Sequence, residues 1–524
     1  MDSRLRGNDR VGVYLKLEIR NLAIKSKEFL RSLSDSTGGN DTFPWLRFVS
    51  NIKALLLKLS YLWAILFLAF LARMKAIGSI GVSEQELKNI ERIFTLTDTA
   101  NFLNGNVSTN LYYLLQNFWG KILGYSVFNM RFFSVLLSLL GFFIFFKFAE
   151  EWFNRKLAYV ATFLISISSF HILVSRNISH EILYPVIIIT ALHLLTLAYR
   201  YKMWQYFFLS GVLLGLGFYS SEITFVLVLV FIISGFYFYT KNRKFFSTFI
   251  KEKAVLIFSA GVVSLPFFYS FFVSPGGFLS NFTYRPDILL DNARNLVVSL
   301  VYAAPQQYMY NVGTDRVFDP FVTVTFILGL IYIVMRVKRR KFYFLITWLA
   351  ILTFIIIFKN NFSLGGFIYI APIMFIMSAR IQTYVLDKWF KTFPFNKFAR
   401  IIMVLGIGFM FALSLNYNYK KVFLAWSKYP ERKFSYSVES TSVNLGNDKV
   451  YLYKSKYGKD VIASVMKIKD KDNISELLDL KAIKEGDKPS IITSPEGAYG
   501  VKSDMKNVKW KEYKGKDIIL LKAE

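Results

Sequence analysis

The sequence predicts a polytopic α-helical membrane protein, and three observations carry that reading. Of its 524 residues, 54% are hydrophobic and 18% aromatic, more apolar surface than a soluble fold of this size can cover. The apolar residues come in blocks long enough to cross ~30 Å of hydrocarbon as helices. Lys and Arg recur in alternate short connections, as expected where charge sets orientation in a bilayer.

In chain order, the apolar blocks predict about eleven spans. The first covers Leu55–Ala72 and the second Phe132–Phe148. Leu157–Val174, Ile182–Ala198, Tyr206–Tyr219, Ile223–Tyr239 and Ala254–Phe272 follow, then Pro320–Met335, Phe342–Phe358, Phe367–Ala379 with a polar extension, and Ile401–Leu415. Several are short enough to need snorkelling ends or a locally thin bilayer. The basic connections are Asn154–Lys156, Tyr199–Lys202, Lys241–Lys253, Arg336–Lys341 and Asp387–Arg400. All fall on one face if the N-terminus is cytoplasmic. Arg73 and Lys75 are the exception, just outside the first span.

This register divides the chain into a cytoplasmic segment (1–52), a transmembrane domain (53–416) and an extracytoplasmic C-terminal domain (417–524). Two long loops are placed outside, about Arg73–Arg131 and Ser274–Asp319. In the Lys-rich C-terminal segment, Lys449–Ser455, Ser490–Ser494 and Asp517–Ala523 read as strands, and "NISELLDL" (Asn473–Leu480) as a short capped helix. A small soluble α/β domain is expected there. The opening "MDSRLRGNDR" lacks the apolar core of a signal peptide, and "DSRLRGND" resembles the translation of a dispersed bacterial DNA repeat.

The formal net charge of +29 would point to nucleic acid in a soluble protein; here the cations serve topology, so no nucleic-acid partner is expected. With no cysteine, disulfides, thiolate metal sites and a Cys nucleophile are excluded. His171, His180 and His193 are too few and too scattered for a zinc site, and no cofactor or metal is called for. No repeat relates the two halves, and ionisable residues sit at span ends rather than deep within spans, which argues against a transporter.

The first outer loop is too long for a connection and has amphipathic pieces of its own. "NLYYLLQNFWGKI" (Asn110–Ile122), with Tyr112 and Tyr113, reads as a helix in the membrane interface; a surface helix packed on the bundle is equally compatible. "GVSEQELKNIERIF" (Gly81–Phe94) places Glu84 and Glu86 where the chain leaves the first span. Their spacing does not put both on one helical face. They are candidate catalytic carboxylates, or else two solvated side chains. "SRNISHE" (Ser175–Glu181) brings Arg176, His180 and Glu181 to the outer interface, where an Arg and a Glu also commonly snorkel. Glu222, Arg285 and Lys359 lie on the same face. Cations are scarce there, so Arg176, with Arg131, Arg285 and Lys359, are candidates for holding a phosphate.

These segments, in this order, resemble the polytopic GT-C glycosyltransferases. The nearest branch holds the protein O-mannosyltransferases and the bacterial aminoarabinose transferases of lipid A. That branch opens its first outer loop with an Asp-Glu pair, where this chain has "GVSEQE". "STNLYYLL" (Ser108–Leu115) stands for a His-Pro-Pro-like segment, and "LGYSVFNMRFFSVLLSLLG" (Leu123–Gly141) for an Arg-containing stretch. "SRNISHE" matches a turn with Arg and an acid after the third span. "GVLLGLGFYSSEITFVL" (Gly211–Leu227) resembles a Gly-rich fifth span, and "GGFIYIAPIMFIMSA" (Gly365–Ala379) a late span in which Tyr369 lacks the usual preceding Arg. The acidic pair is not intact: either Ser83-Glu84 or Gln85-Glu86 replaces it, and one carboxylate survives in both registers.

The resemblance implies an inverting transfer of a sugar from a polyprenyl-phosphate donor to an extracytoplasmic protein, lipid or glycan acceptor, on the outer face of a bacterial cytoplasmic membrane. Glu84 is the first expectation for the catalytic carboxylate and Glu86 the second. A lipid-linked-glycan binding protein that has lost its chemistry is the alternative on the same fold; a transporter or flippase of lipid-linked sugar is the alternative from another class.

Overall fold

The computed structural model describes residues 60–78, 82–96, 107–221, 223–241, 250–273, 285–429, 450–452, 474–476, 490–493, 501–503, 508–514 and 519–523. The chain divides into two compact units, Met1–Trp63 and Ala64–Glu524. Glu222, the side chain of Glu84 and most of residues 1–59 and 430–489 fall outside the described residues.

The chain is a polytopic helical membrane protein. Among the described residues, six helices are long and apolar enough to cross a bilayer: α4 (Val127–Trp152), α7 (Leu183–Tyr201, entered through a 3-10 turn at His180–Ile182), α10 (Ile250–Val273), α13 (Arg340–Ile357), α14 (Phe367–Thr392) and α15 (Lys397–Tyr419). Four shorter apolar segments accompany them: α1 (Ser60–Met74), α8 (Trp204–Gly217), part of α9 (Thr224–Lys241) and α12 (Pro320–Val334). Side-chain oxygens cap several starts. Ser126 accepts from the Asn129 N–H, Asn154 from Leu157, Asp319 from Val322 and Asn396 from Ala399, satisfying donors that each first turn leaves open.

The expected continuous span Leu157–Val174 is a bent pair instead. Helices α5 (Arg155–Ile167) and α6 (Ser169–Ser175) meet at 63°. Ser168 leaves the helical region (φ −60°, ψ 127°), and Asn418 Oδ1 on α15 accepts the freed Ser169 N–H at 2.7 Å. A break inside a bilayer persists only where protein re-satisfies the backbone in this way. Asn418 lies 249 residues away in sequence, so local pattern does not announce the bend.

The Gly-rich segment packs helix on helix: a Cβ at Gly215 on α8 would lie 2.7 Å from Val263 Cβ on α10, so only hydrogen fits at that crossing. The first outer loop folds into α2 (Glu84–Thr95), a 3-10 turn at Val107–Thr109 and α3 (Asn110–Leu123). The second, read from sequence as a loop, carries helix α11 (Pro286–Val301) with Pro at its first turn. A π-helical turn at Lys420–Trp426 extends α15.

The C-terminal segment contains a mixed five-stranded sheet of β1 (Val450–Leu452), β2 (Ile474–Glu476), β3 (Ser490–Thr493), β4 (Trp510–Lys514) and β5 (Ile519–Ala523), in the order β2-β1-β3-β5-β4. β1 pairs parallel with β2 and β3; β5 pairs antiparallel with β3 and β4. The helix expected from "NISELLDL" is corrected at its start: Ile474–Glu476 form the edge strand β2, in register with Val450–Leu452. A capping pattern is a local preference, and ladder pairing overrides it.

Candidate active site

Helix α2 organises the site. Its start is a capping box: Ser83 Oγ accepts from the Glu86 N–H at 3.3 Å, and Glu86 Oε2 accepts from the Ser83 N–H at 3.2 Å. Glu86 has no exposed surface and faces inward with Ile90 and Ile93. The fully buried Arg131 on α4 grips it bidentately, Nε to Oε1 at 2.9 Å and Nη2 to Oε2 at 2.8 Å. The Ile178 N–H adds a fourth donor to Oε1 at 3.0 Å, and Arg131 Nη1 donates to Ile77 O at 2.9 Å. Glu86 and Arg131, two sequence candidates, therefore satisfy one another and tie α2, α4 and the 175–181 turn together.

The opposite face of α2 presents Gln85, Lys88, Asn89 and Arg92, spaced i, i+3, i+4, i+7. These four open onto a cavity of about 290 Å³, closed by Thr109 and Tyr113 from the 3-10 turn and α3, His180 and Glu181 from the turn before α7, Ser221, and Ile356, Lys359, Ser363, Gly366 and Tyr369 from the α13–α14 connection. Five sequence candidates thus meet: Tyr113, His180, Glu181, Lys359 and Tyr369. Among the described residues lining the cavity, Glu181 is the one carboxylate.

Hydrogen bonds fix the walls. Tyr113 O–H donates to Asn89 Oδ1 at 2.8 Å, and Asn89 Nδ2 to Ile178 O at 2.6 Å. His180 Nδ1 lies 3.1 Å from the Tyr113 oxygen. With the Tyr113 proton committed to Asn89, His180 Nδ1–H is the donor in that contact. Burial, opposed by nearby Arg92, raises the Tyr113 phenol above its ordinary range. Arg92 donates to Asn110 Oδ1 at 2.8 Å with its guanidinium 5.3 Å above the Tyr113 ring. Asn292 of α11 donates to the carbonyls of Ile357 and Lys359, which anchors the segment carrying Lys359.

Glu181 is held differently from Glu86. Ser179 Oγ donates to Oε2 at 2.7 Å and Tyr310 O–H to Oε1 at 2.6 Å; among the described residues, no Lys or Arg grips it as Arg131 grips Glu86. Gly365 leaves it room: a Cβ there would sit 2.9 Å from Glu181 Cδ and 3.0 Å from Tyr310 Oη.

The remaining candidates lie elsewhere. Arg176 is buried, donating to Lys75 O at 2.6 Å with its guanidinium over the Phe423 ring. Arg285 is exposed and paired with Asp287 at 2.8 Å. Tyr112 is fully buried, sharing a hydrogen bond with Ser134. None of the three lines the cavity. Gln85, Lys88, Asn89, Arg92 and Tyr310 escaped the sequence reading. The first four were legible as a polar stripe at helical spacing; Tyr310 left no such mark.

α3 also shows its orientation. Its polar side, with Asn110, Gln116 and Asn117, is buried against the protein, while Leu114, Phe118 and Ile122, at i, i+4, i+8, are exposed.

With that geometry in view, comparison with known proteins is informative. Residues 109–268 match the profile of the dolichyl-phosphate-mannose-protein mannosyltransferases. ArnT from Cupriavidus metallidurans aligns over 88% of this chain and 98% of its own, at 10% identity, with a TM-score of 0.51 for the structure bound to undecaprenyl phosphate and 0.52 for the apo structure. The chain shares the GT-C fold of ArnT. No curated protein sequence matches the chain. The matched segment of the GT-C fold begins at Thr109, so it contains Tyr113, Arg131, His180 and Glu181 but not α2.

Proposed function

We propose that the chain is an inverting glycosyltransferase that moves a sugar from a polyprenyl-phosphate donor to an acceptor on the outer face of the bacterial cytoplasmic membrane. The observation that carries this is one cavity joining Lys88, Arg92 and Lys359 to Glu181. Three cations around a small polar cavity suit a phosphate whose charge grows as its bond to the sugar breaks. The GT-C likeness supports the reaction class, and the undecaprenyl phosphate in the ArnT structure supports the carrier. The outward apolar stripe of α3 fits a helix lying in the outer interface, beside which an isoprenoid tail would enter.

The Glu86–Arg131 pair supports the register in which Gln85 replaces the Asp of the family's acidic pair. Donor capture therefore rests on α2 and Lys359, and Arg176, Arg131 and Arg285 act outside the cavity. Eleven spans, with the N-terminus inside and the sheet domain outside, complete the reading; among the described residues, six long helices, the bent pair and four shorter apolar helices support it.

Two measurements test it. Full-length protein in lipid nanodiscs should bind undecaprenyl phosphate and release it from an undecaprenyl-phosphate sugar when acceptor membranes are supplied; failure of both overturns the function. Because the chain has no cysteine, a Cys placed at exposed Lys509 should react with an impermeant reagent in intact spheroplasts, and one at Lys391 only after lysis. The reverse pattern overturns the topology.

A further inference from the structure

Glu86 carries four hydrogen bonds from its own scaffold, and Gln85, beside it on the cavity face, carries no charge. A hydroxyl acceptor entering the cavity still has to lose a proton. We propose that Glu181 is the general base of the transfer and that Tyr310 is its positioning residue, an assignment that rests on the function proposed above.

The argument is geometric. Glu181 is 9% exposed and lines the cavity, so one side of its carboxylate meets the space a substrate would fill. Each oxygen takes one neutral donor, Tyr310 at 2.6 Å and Ser179 at 2.7 Å, and a carboxylate oxygen accepts two bonds, so capacity for a substrate hydroxyl remains. Tyr310 is itself fixed: its N–H donates to Gln307 O at 2.9 Å, and its ring stacks on Phe170 with centroids 6.3 Å apart. Gln307 in turn accepts from the Leu364 N–H and donates to Phe362 O, so the 302–319 loop holds the α13–α14 connection and Glu181 in one frame. Gly365 has no side chain to push the carboxylate out of line.

In the step, the acceptor oxygen forms a bond to the anomeric carbon while its proton moves to Glu181. The bond from that carbon to the carrier phosphate breaks, and its electron pair leaves on the phosphate oxygen, facing Lys88, Arg92 and Lys359. Attack from the opposite side inverts configuration. Tyr310 stays protonated throughout: burial first, then the adjacent Glu181, raise its phenol well above the ordinary value. A neutral donor orients a carboxylate without neutralising its charge, so Tyr310 aims the base without pairing it off. Among the described residues, the other ionisable groups lining the site are Lys88 and Arg92 from α2, Tyr113 from α3, His180 from the turn, Lys359 from the α13 end and Tyr369 from α14.

The test uses full-length protein in nanodiscs, a labelled undecaprenyl-phosphate hexose as donor, and envelope membranes as acceptor. Glu181→Gln should lower kcat by about 10²–10⁴-fold with undecaprenyl phosphate binding retained, which also reports folding. Tyr310→Phe should lower kcat about tenfold, the loss of one hydrogen bond, and leave the donor KM in place. A residue that only supported the fold would lower yield and leave the kcat of the folded enzyme in place. Wild-type turnover in Glu181→Gln, or loss in Glu84→Gln alone, overturns the base assignment and leaves the proposed function standing. An unchanged kcat in Tyr310→Phe, or a kcat and donor KM that change together, overturns the positioning role. If the wild-type protein transfers nothing, the function falls and the assignment with it.

Discussion

Glu86 and Glu181 lie near one another through Ile178, yet their surroundings differ in kind. Glu86 is sealed, with a guanidinium on both oxygens and two backbone N–H groups completing the shell. Glu181 borders open space and, among the described residues, takes two hydroxyl donors. A buried carboxylate gripped by a buried Arg is a joint: its charge is spent on holding three chain segments. A carboxylate held by neutral donors beside a cavity keeps basicity to use. Residue type and position on the face do not separate these roles; the partners do.

The contrast can be broken at its strongest point first. Glu86→Ala should leave Arg131 buried without its partner and cost about 3–5 kcal/mol of stability, seen as a large fall in thermal midpoint of the purified protein. Arg131→Ala should do the same, and the double variant should cost far less than the sum. A loss in the double variant equal to the sum of the two would mean that the pair is not a joint. Lys88→Ala comes next: removing a cation from the cavity should weaken undecaprenyl phosphate binding about tenfold, near 1.5 kcal/mol, with the thermal midpoint unchanged. Lys359→Ala should behave alike. Arg176→Ala should show the opposite split, unchanged undecaprenyl phosphate binding and about 1 kcal/mol of lost stability from the Lys75 carbonyl bond and the Phe423 face. Weakened binding there would move the phosphate site to the 175–181 turn. Arg285→Ala should change neither quantity, because its pair with Asp287 is solvent-exposed.

Much of the architecture was written in the chain. Apolar blocks bounded by basic connections announce helices of membrane length, because hydrocarbon demands internally bonded backbone over a fixed thickness. The Gly211–Gly217 run, which resembles a Gly-rich span, packs closely on α10. "SEQELKNIER" carried both faces of α2: the Ser83–Glu86 spacing of a capping box, apolar 90 and 93 inward, and 85, 88, 89 and 92 as a polar stripe. "SRNISHE" and "FKNNFSLGG" contained His180, Glu181 and Lys359.

Tertiary structure decided which residues meet. Arg131 and Glu86 are 45 residues apart, Tyr310 and Glu181 are 129, and Asn418 reaches the Ser168 bend across 249. A pattern of period 3.6 reports which way a side chain points from its own helix axis, never which distant residue it finds there. So the sequence determined that carboxylates, cations and tyrosines would gather at the ends of membrane helices. Only the packed chain determined that Glu86 would be consumed in a joint, that Arg176 and Arg285 would be drawn away, and that Glu181 would face the open cavity. The physical reason is that the charge state and availability of a buried group depend on its nearest partners, and those are set by long-range contacts.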